Sequence, residues 1–129
     1  MYVYANPNPD GIHAEDCVVR AVCLATDKKW DDVYIRLCMQ GYLMKNMPSV
    51  NKVWGAYLAS QGFVPYPVLD TCPDCYRVRD FCKDYSNGTY ILATGSHVVT
   101  VIDGDYYDAW DSGNELPIYV WRLERNGSL

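Results

Sequence analysis

The chain has 129 residues, a formal net charge of −5, half of its residues apolar, and twelve tyrosines. That length suits one domain spanning residues 1–129, and a chain of this size buries roughly two-thirds of its unfolded surface without needing a disulfide or a metal. The apolar content excludes a disordered chain. The acidic balance, with Lys28-Lys29 as the only basic pair, excludes nucleic acid as a partner, since that binding rests on neutralising phosphates.

No apolar run approaches the ~20 residues needed to span a bilayer. Residues Met1 to Asp10 lack the basic and apolar regions of a signal peptide. The expectation is a cytoplasmic protein with no membrane contact, whose six cysteines (17, 23, 38, 72, 75, 82) are reduced.

Residues 3–14 are rich in Asn, Pro, Asp and Gly and read as an irregular lead-in. His13 lies in this stretch and is expected to face solvent. Asp16 is a good N-cap, which makes Cys17 the first residue of a helix running to Thr26. From Val18 onward only Arg20 is charged, so this helix is expected to be buried at the centre of the domain. Unpaired N–H groups and the macrodipole at a helix start favour a thiolate. Cys17 is therefore the candidate nucleophile. Arg20, one turn on, is expected to form a structural ion pair with Glu15 or another carboxylate.

Trp30-Asp31-Asp32 opens a second helix, with an apolar stripe of Val33, Leu37 and Met44 joined by Tyr34 and Cys38; Gly41 blurs its far end. Met47-Pro48 starts a third, with Pro in the first turn, and Gly62 ends it. Trp30 and Trp54 read as core residues, as do Cys23, Cys38 and Cys82. Residues 63–70, with Pro65 and Pro67, read as extended chain at a sheet edge. Cys72-Pro73-Asp74-Cys75 is a CxxC that reads as a turn ahead of a short amphipathic helix carrying Val78, Phe81, Cys82 and Tyr85. With no second CxxC or His pair, no zinc site is expected, nor any other metal or cofactor.

Thr89–Thr94 reads as a strand leading into Gly95-Ser96-His97. Val98–Ile102, Asp103-Gly104 and Tyr106–Trp110 then read as a hairpin. If Asp103 to Asp105 form a three-residue loop, His97 opposes Asp111, close enough for the carboxylate to hold one imidazole nitrogen. A two-residue loop instead pairs His97 with Trp110. Asp108, nearer the turn, ranks second as the acid. Ile118–Leu123 reads as a last strand. Helices first and antiparallel strands afterwards indicate an α+β fold.

The order of Asp16-Cys17-Val18-Val19-Arg20-Ala21, His97-Val98-Val99-Thr100-Val101 and Asp108-Ala109-Trp110-Asp111 resembles the papain-like cysteine peptidases. The length is most similar to small bacterial and phage members and to the peptidase domains that trim bacteriocin leaders. The resemblance implies N-terminal helices, one of them central and buried, packed on a C-terminal antiparallel sheet. It further implies a Cys17–His97–Asp111 triad that cleaves a peptide, isopeptide or similar amide bond of a peptide or protein substrate. Attack by the thiolate, protonation of the leaving group by His97 and orientation of the imidazole by the acid would be the chemistry. The sequence departs from the family at the oxyanion glutamine, because residues 1–39 contain none. Asn6 and Asn8 are the candidates for that donor. Two alternatives stand beside hydrolysis: a binding or inhibitory protein on the same fold, and acyl transfer of the transglutaminase kind.

Overall fold

The structure is a computed structural model that describes residues 1–12, 14–68 and 75–124. Among the described residues, four helices and one six-stranded sheet make up the α+β fold. The helices are α1 (Cys17–Thr26), α2 (Trp30–Met44), α3 (Asn51–Ser60) and α4 (Val78–Asp84). The strands are β1 (Tyr2–Tyr4), β2 (Phe63–Pro67), β3 (Thr89–Ala93), β4 (Val98–Ile102), β5 (Asp105–Asp108) and β6 (Tyr119–Leu123). Their spatial order is β1-β5-β4-β3-β6-β2.

Alternation along the central strands divides the core in two, because successive side chains of a strand point to opposite faces. Ile91, Ala93, Val98 and Trp121 pack with Val22, Val33, Leu37, Trp54 and Leu58 of α1 to α3. Tyr90, Leu92, Val99, Val101 and Val120 pack instead with Val78, Phe81 and Cys82 of α4. The sheet is thus covered on both faces, which explains why β4 is β-branched and apolar nearly throughout instead of alternating with polar residues. Thr100, its one polar residue, is fully buried and donates its hydroxyl to the Ala21 carbonyl at 2.7 Å, tying β4 to α1.

The glycines of the helices have packing reasons. A Cβ on Gly55 would lie 2.9 Å from Cζ2 of Trp121, so α3 approaches the sheet at that residue. A Cβ on Gly41 would lie 2.6 Å from the Asn46 carbonyl oxygen, which is why α2 keeps a glycine in its last turn as the chain folds back under it.

Several sequence expectations need correction. Residues 2–4, inside or beside the supposed irregular lead-in, form β1, which runs parallel to β5 (Tyr2↔Tyr106, Val3↔Tyr107, Tyr4↔Asp108). The sheet is therefore mixed. Pro48 precedes α3 instead of entering its first turn, and Val50 is the N-cap residue. Of the α2 stripe, Val33 and Leu37 are buried, Cys38 and Met44 are half-buried, and Tyr34 is exposed.

Of residues 63–70, expected as extended chain at a sheet edge, 63–67 form the edge strand β2, and 69 and 70 lie outside the described residues. β2 pairs only with β6, and the bonds from Val68 N–H to the Ile118 carbonyl and from Glu124 N–H to the Gly62 carbonyl set its even-numbered residues inward. Pro65 and Pro67 then fall on the outward-facing positions, where they remove the donors of an open edge. His13 and Leu69–Asp74, which include Cys72, Pro73 and Asp74 of the CxxC, lie outside the described residues; Cys75 is exposed. No helix among the described residues is long and apolar enough to cross a membrane.

Candidate active site

Three elements meet at one end of the sheet. Cys17 is the first residue of α1 and is half-buried. Asp16 sits at the N-cap position but makes no capping bond. Its carboxylate accepts from Arg20 Nη1, from Trp30 Nε1 at 2.9 Å and from Asn8 Nδ2 at 3.2 Å. The N–H groups of the first helical turn therefore carry no side-chain cap, and Cys17, Val18 and Val19 line an open cleft.

His97 stands just ahead of β4, in the tight turn that joins it to β3. Its carbonyl accepts from the Thr94 N–H at 2.8 Å and from the Thr94 hydroxyl at 3.1 Å, which fixes the backbone from which the imidazole projects. The indole of Trp110 lies 4.6 Å from the imidazole, centre to centre, and His97 retains 8 % exposure.

The imidazole joins the other two groups. Its Nε2 lies 2.5 Å from Asp108 Oδ2. Its other nitrogen, Nδ1, is free of Asp108, and Cys17 lines the same cleft, close enough for thiol and ring to shift each other's protonation. Burial pulls the imidazole down, but the bonds and charges of Asp108 and Cys17 overcome this and raise its pKa to about 9. Burial pushes the Cys17 thiol up; the bond to His97, its charge, the Val98 backbone and Arg20 outweigh it, so the thiol pKa falls below its ordinary value. Asp108 follows the same pattern. Burial raises it, and the contacts with His97, Ser112 and the Ala109 N–H bring it below the usual carboxylate range.

Asp108, at the end of β5 and 3 % exposed, is held from every side. Oδ2 also accepts from the Ser112 hydroxyl at 2.7 Å, and Oδ1 from the Ala109 N–H at 2.8 Å and Arg20 Nη2 at 3.5 Å. Its backbone carbonyl accepts from the Ala5 N–H at 2.9 Å and the Tyr2 hydroxyl at 3.1 Å.

The acid beside His97 is thus Asp108 and not Asp111. The hairpin loop has two residues, Asp103 and Gly104, at φ 49° and 84°. These are the positive φ values of a primed turn. Ile102 consequently opposes Asp105, and Val101 opposes Tyr106. Continued to the strand ends, that register sets His97 against Trp110, with Asp108 as its diagonal neighbour, still within reach of a long side chain. Asp111 turns away: its Oδ1 accepts from the Tyr106 hydroxyl at 2.5 Å and the Gly113 N–H at 3.1 Å.

Asn6 and Asn8 do not line the cleft. Asn6 Nδ2 donates to the Ile12 carbonyl at 3.4 Å, and Asn8 is buried with its amide on Asp16. The side-chain amide that does line the cleft is Asn51, at the start of α3, whose Oδ1 accepts from Trp54 Nε1 at 3.1 Å. Ser112 and Asn51 belong to no motif legible in the sequence: Ser112 reaches Asp108 through the turn that follows β5, and Asn51 meets the cleft only because the fold brings the start of α3 to it.

The cleft encloses about 340 Å³. From Cys17 and His97 it runs past α1, α2 and the start of α3 along Val18, Leu37 and Trp54. Among the described residues no group of three or more His, Cys, Asp or Glu is arranged to hold a metal ion. No family model matches the sequence, and neither a curated protein nor a solved structure matches it.

Proposed function

We propose that the protein is a cysteine hydrolase that cleaves a peptide, isopeptide or related amide bond through Cys17, His97 and Asp108. The observation that carries this reading is the buried imidazole placed between a thiol and a carboxylate. Nε2 is bonded to the Asp108 carboxylate, Cys17 lines the same cleft as the ring, and the thiol pKa is lowered while the imidazole pKa is raised. Those are the opposed shifts expected when a proton moves from sulfur to nitrogen and leaves a thiolate–imidazolium pair.

In the reaction, the Cys17 thiolate attacks the carbonyl carbon, and the negative charge passes to the carbonyl oxygen. The uncapped N–H groups at the start of α1, favoured by the helix dipole, are suited to receive that charge. His97 gives its proton to the departing amine as the C–N bond breaks, leaving a thioester on Cys17. It then takes a proton from water, which attacks the thioester; the acid leaves and the thiol is restored. Asp108 holds the ring in the tautomer that keeps Nδ1 toward the sulfur. A papain-like arrangement accounts for the chain order of these groups, with Asp108 in the acid's role.

The test is to incubate the protein with a complex mixture of peptides and identify new amino termini by mass spectrometry. Wild-type protein should generate cleavages that vanish in both Cys17→Ala and His97→Ala. Cleavages that persist in either variant, or none in the wild type across such a mixture, overturn the assignment. Products joined to an added amine in place of water would redirect it to acyl transfer.

A further inference from the structure

Arg20 is 7 % exposed, yet it carries a full charge into the interior one turn after Cys17. Nη1 pairs with Asp16, beside the nucleophile, and also donates to the Ala14 carbonyl at 3.4 Å; Nη2 reaches Asp108 Oδ1 at 3.5 Å. A buried arginine between two buried carboxylates costs desolvation that a merely packed side chain would avoid. The arrangement joins the residue before the thiol to the acid behind the imidazole in one closed circuit. We propose that Arg20 is a positioning residue of this array: its guanidinium fixes the carboxylate that holds His97 and supplies the positive charge that keeps Cys17 ionised. This rests on the assignment of Cys17, His97 and Asp108 as the reacting set.

The charge balance supports it. With Cys17 and His97 as an ion pair, Asp16 and Asp108 add two negative charges and Arg20 one positive charge. Without Arg20, two buried carboxylates would face a thiolate with only the imidazolium to offset them. Glu15, exposed at the rim of the same cleft, supplies no positive charge; the remaining groups around the array are Cys23 on α1, Tyr2 from β1, whose hydroxyl is on the Asp108 carbonyl, and Asp111 beyond β5. Each is neutral at pH 7 or directed elsewhere, so none can replace the guanidinium. Trp30 and Asn8, which also bond Asp16, carry no charge.

The experiment measures the rate at which iodoacetamide modifies Cys17 as a function of pH, read on the Cys17 peptide by mass spectrometry. The proteins are wild type, Arg20→Gln, Arg20→Lys and Asp16→Asn, each checked for folding by circular dichroism. In Arg20→Gln the pH midpoint of the reaction should rise, by about one pH unit, making modification about tenfold slower at pH 6. Arg20→Lys should return most of that loss. Asp16→Asn should move the midpoint the opposite way, downward, because it removes a negative charge beside the thiolate while leaving Arg20 on Asp108.

A pair with a purely structural role would perturb the site in the same direction from either side. An unmoved midpoint in folded Arg20→Gln therefore overturns the proposal, as do shifts of the same sign in Arg20→Gln and Asp16→Asn. If Arg20→Gln does not fold, Arg20→Lys with a midpoint far above wild type, or Asp16→Asn with a raised one, overturns it equally. Alkylation requires no turnover, so this result stands apart from whether any peptide is cleaved.

Discussion

Replacing Asp108 by Asn is the sharpest probe of the site, because it keeps the volume and removes only the charge and one acceptor. The amide oxygen can still accept from the Ala109 N–H and Arg20, which bond Oδ1 in the native protein. Its NH₂ then takes the place of Oδ2 and faces His97 Nε2 and the Ser112 hydroxyl. Nε2 must now accept, so the ring proton moves to Nδ1, and the nitrogen facing Cys17 can no longer take the thiol proton. The His97 pKa should fall from about 9 toward the ordinary imidazole value, and Cys17 loses its counter-ion. A thiol returned to the free value of about 8.5 is only about 3 % ionised at pH 7. Alkylation of Cys17 at that pH should therefore slow by up to about 30-fold. Turnover should fall further, by a factor on the order of 10⁴, the cost of a wrong tautomer in such triads. The assay is the initial rate of iodoacetamide modification at pH 7 for wild type, Asp108→Asn and Asp111→Asn. The Asp111 variant should behave as wild type. Wild-type modification in Asp108→Asn, or an equal loss in Asp111→Asn, would refute the reasoning.

Two further expectations concern stability. The His97 pKa is raised in the folded protein, so its contribution is complete below the ordinary imidazole value and is lost as pH rises through about 9. Asp108 is lowered, so its contribution is present above the ordinary carboxylate value and is lost as pH falls through its depressed one. Urea midpoints measured across pH should fall on both sides, and His97→Ala should flatten the alkaline fall; a variant that keeps the full alkaline fall would assign it to another group. Gly55→Ala forces a methyl to 2.9 Å from the Trp121 ring and should cost about 1–3 kcal/mol in thermal unfolding, whereas an unchanged melting temperature would mean that α3 withdraws freely from the sheet.

The parts of the fold that were legible in the sequence are those governed by local chemistry. Val98–Ile102 is a strand because five residues, four of them β-branched apolar side chains, have both faces of the sheet to fill. Cys17 begins α1 because the Asn- and Pro-rich stretch before it cannot continue a helix and the apolar run after it must be buried. β1 was illegible for the complementary reason. Three residues of alternating Tyr and Val have no preference strong enough to declare a strand, and this one exists only because β5 offers an edge to pair with.

The acid was decided at a single turn. Asp103-Gly104 is the dipeptide that favours a two-residue loop, and the extra residue assigned to that loop moved the expected partner of His97 from the neighbourhood of Asp108 to Asp111. Alternation magnifies such an error, since a slip of one residue turns every side chain of a strand to its other face. The sequence could have resolved the choice through aromatic pairing. Trp110, which a two-residue loop sets against His97, is large enough to cover the imidazole, while Tyr106 brings its hydroxyl to Asp111 and removes that carboxylate from contention. The identity of the acid that holds His97 thus follows from two backbone angles at a turn far from the cleft. Lengthening that turn by one residue, for example by inserting a glycine after Gly104, should uncouple His97 from Asp108 without touching either, and Cys17 should then be alkylated with the pH dependence of an ordinary thiol.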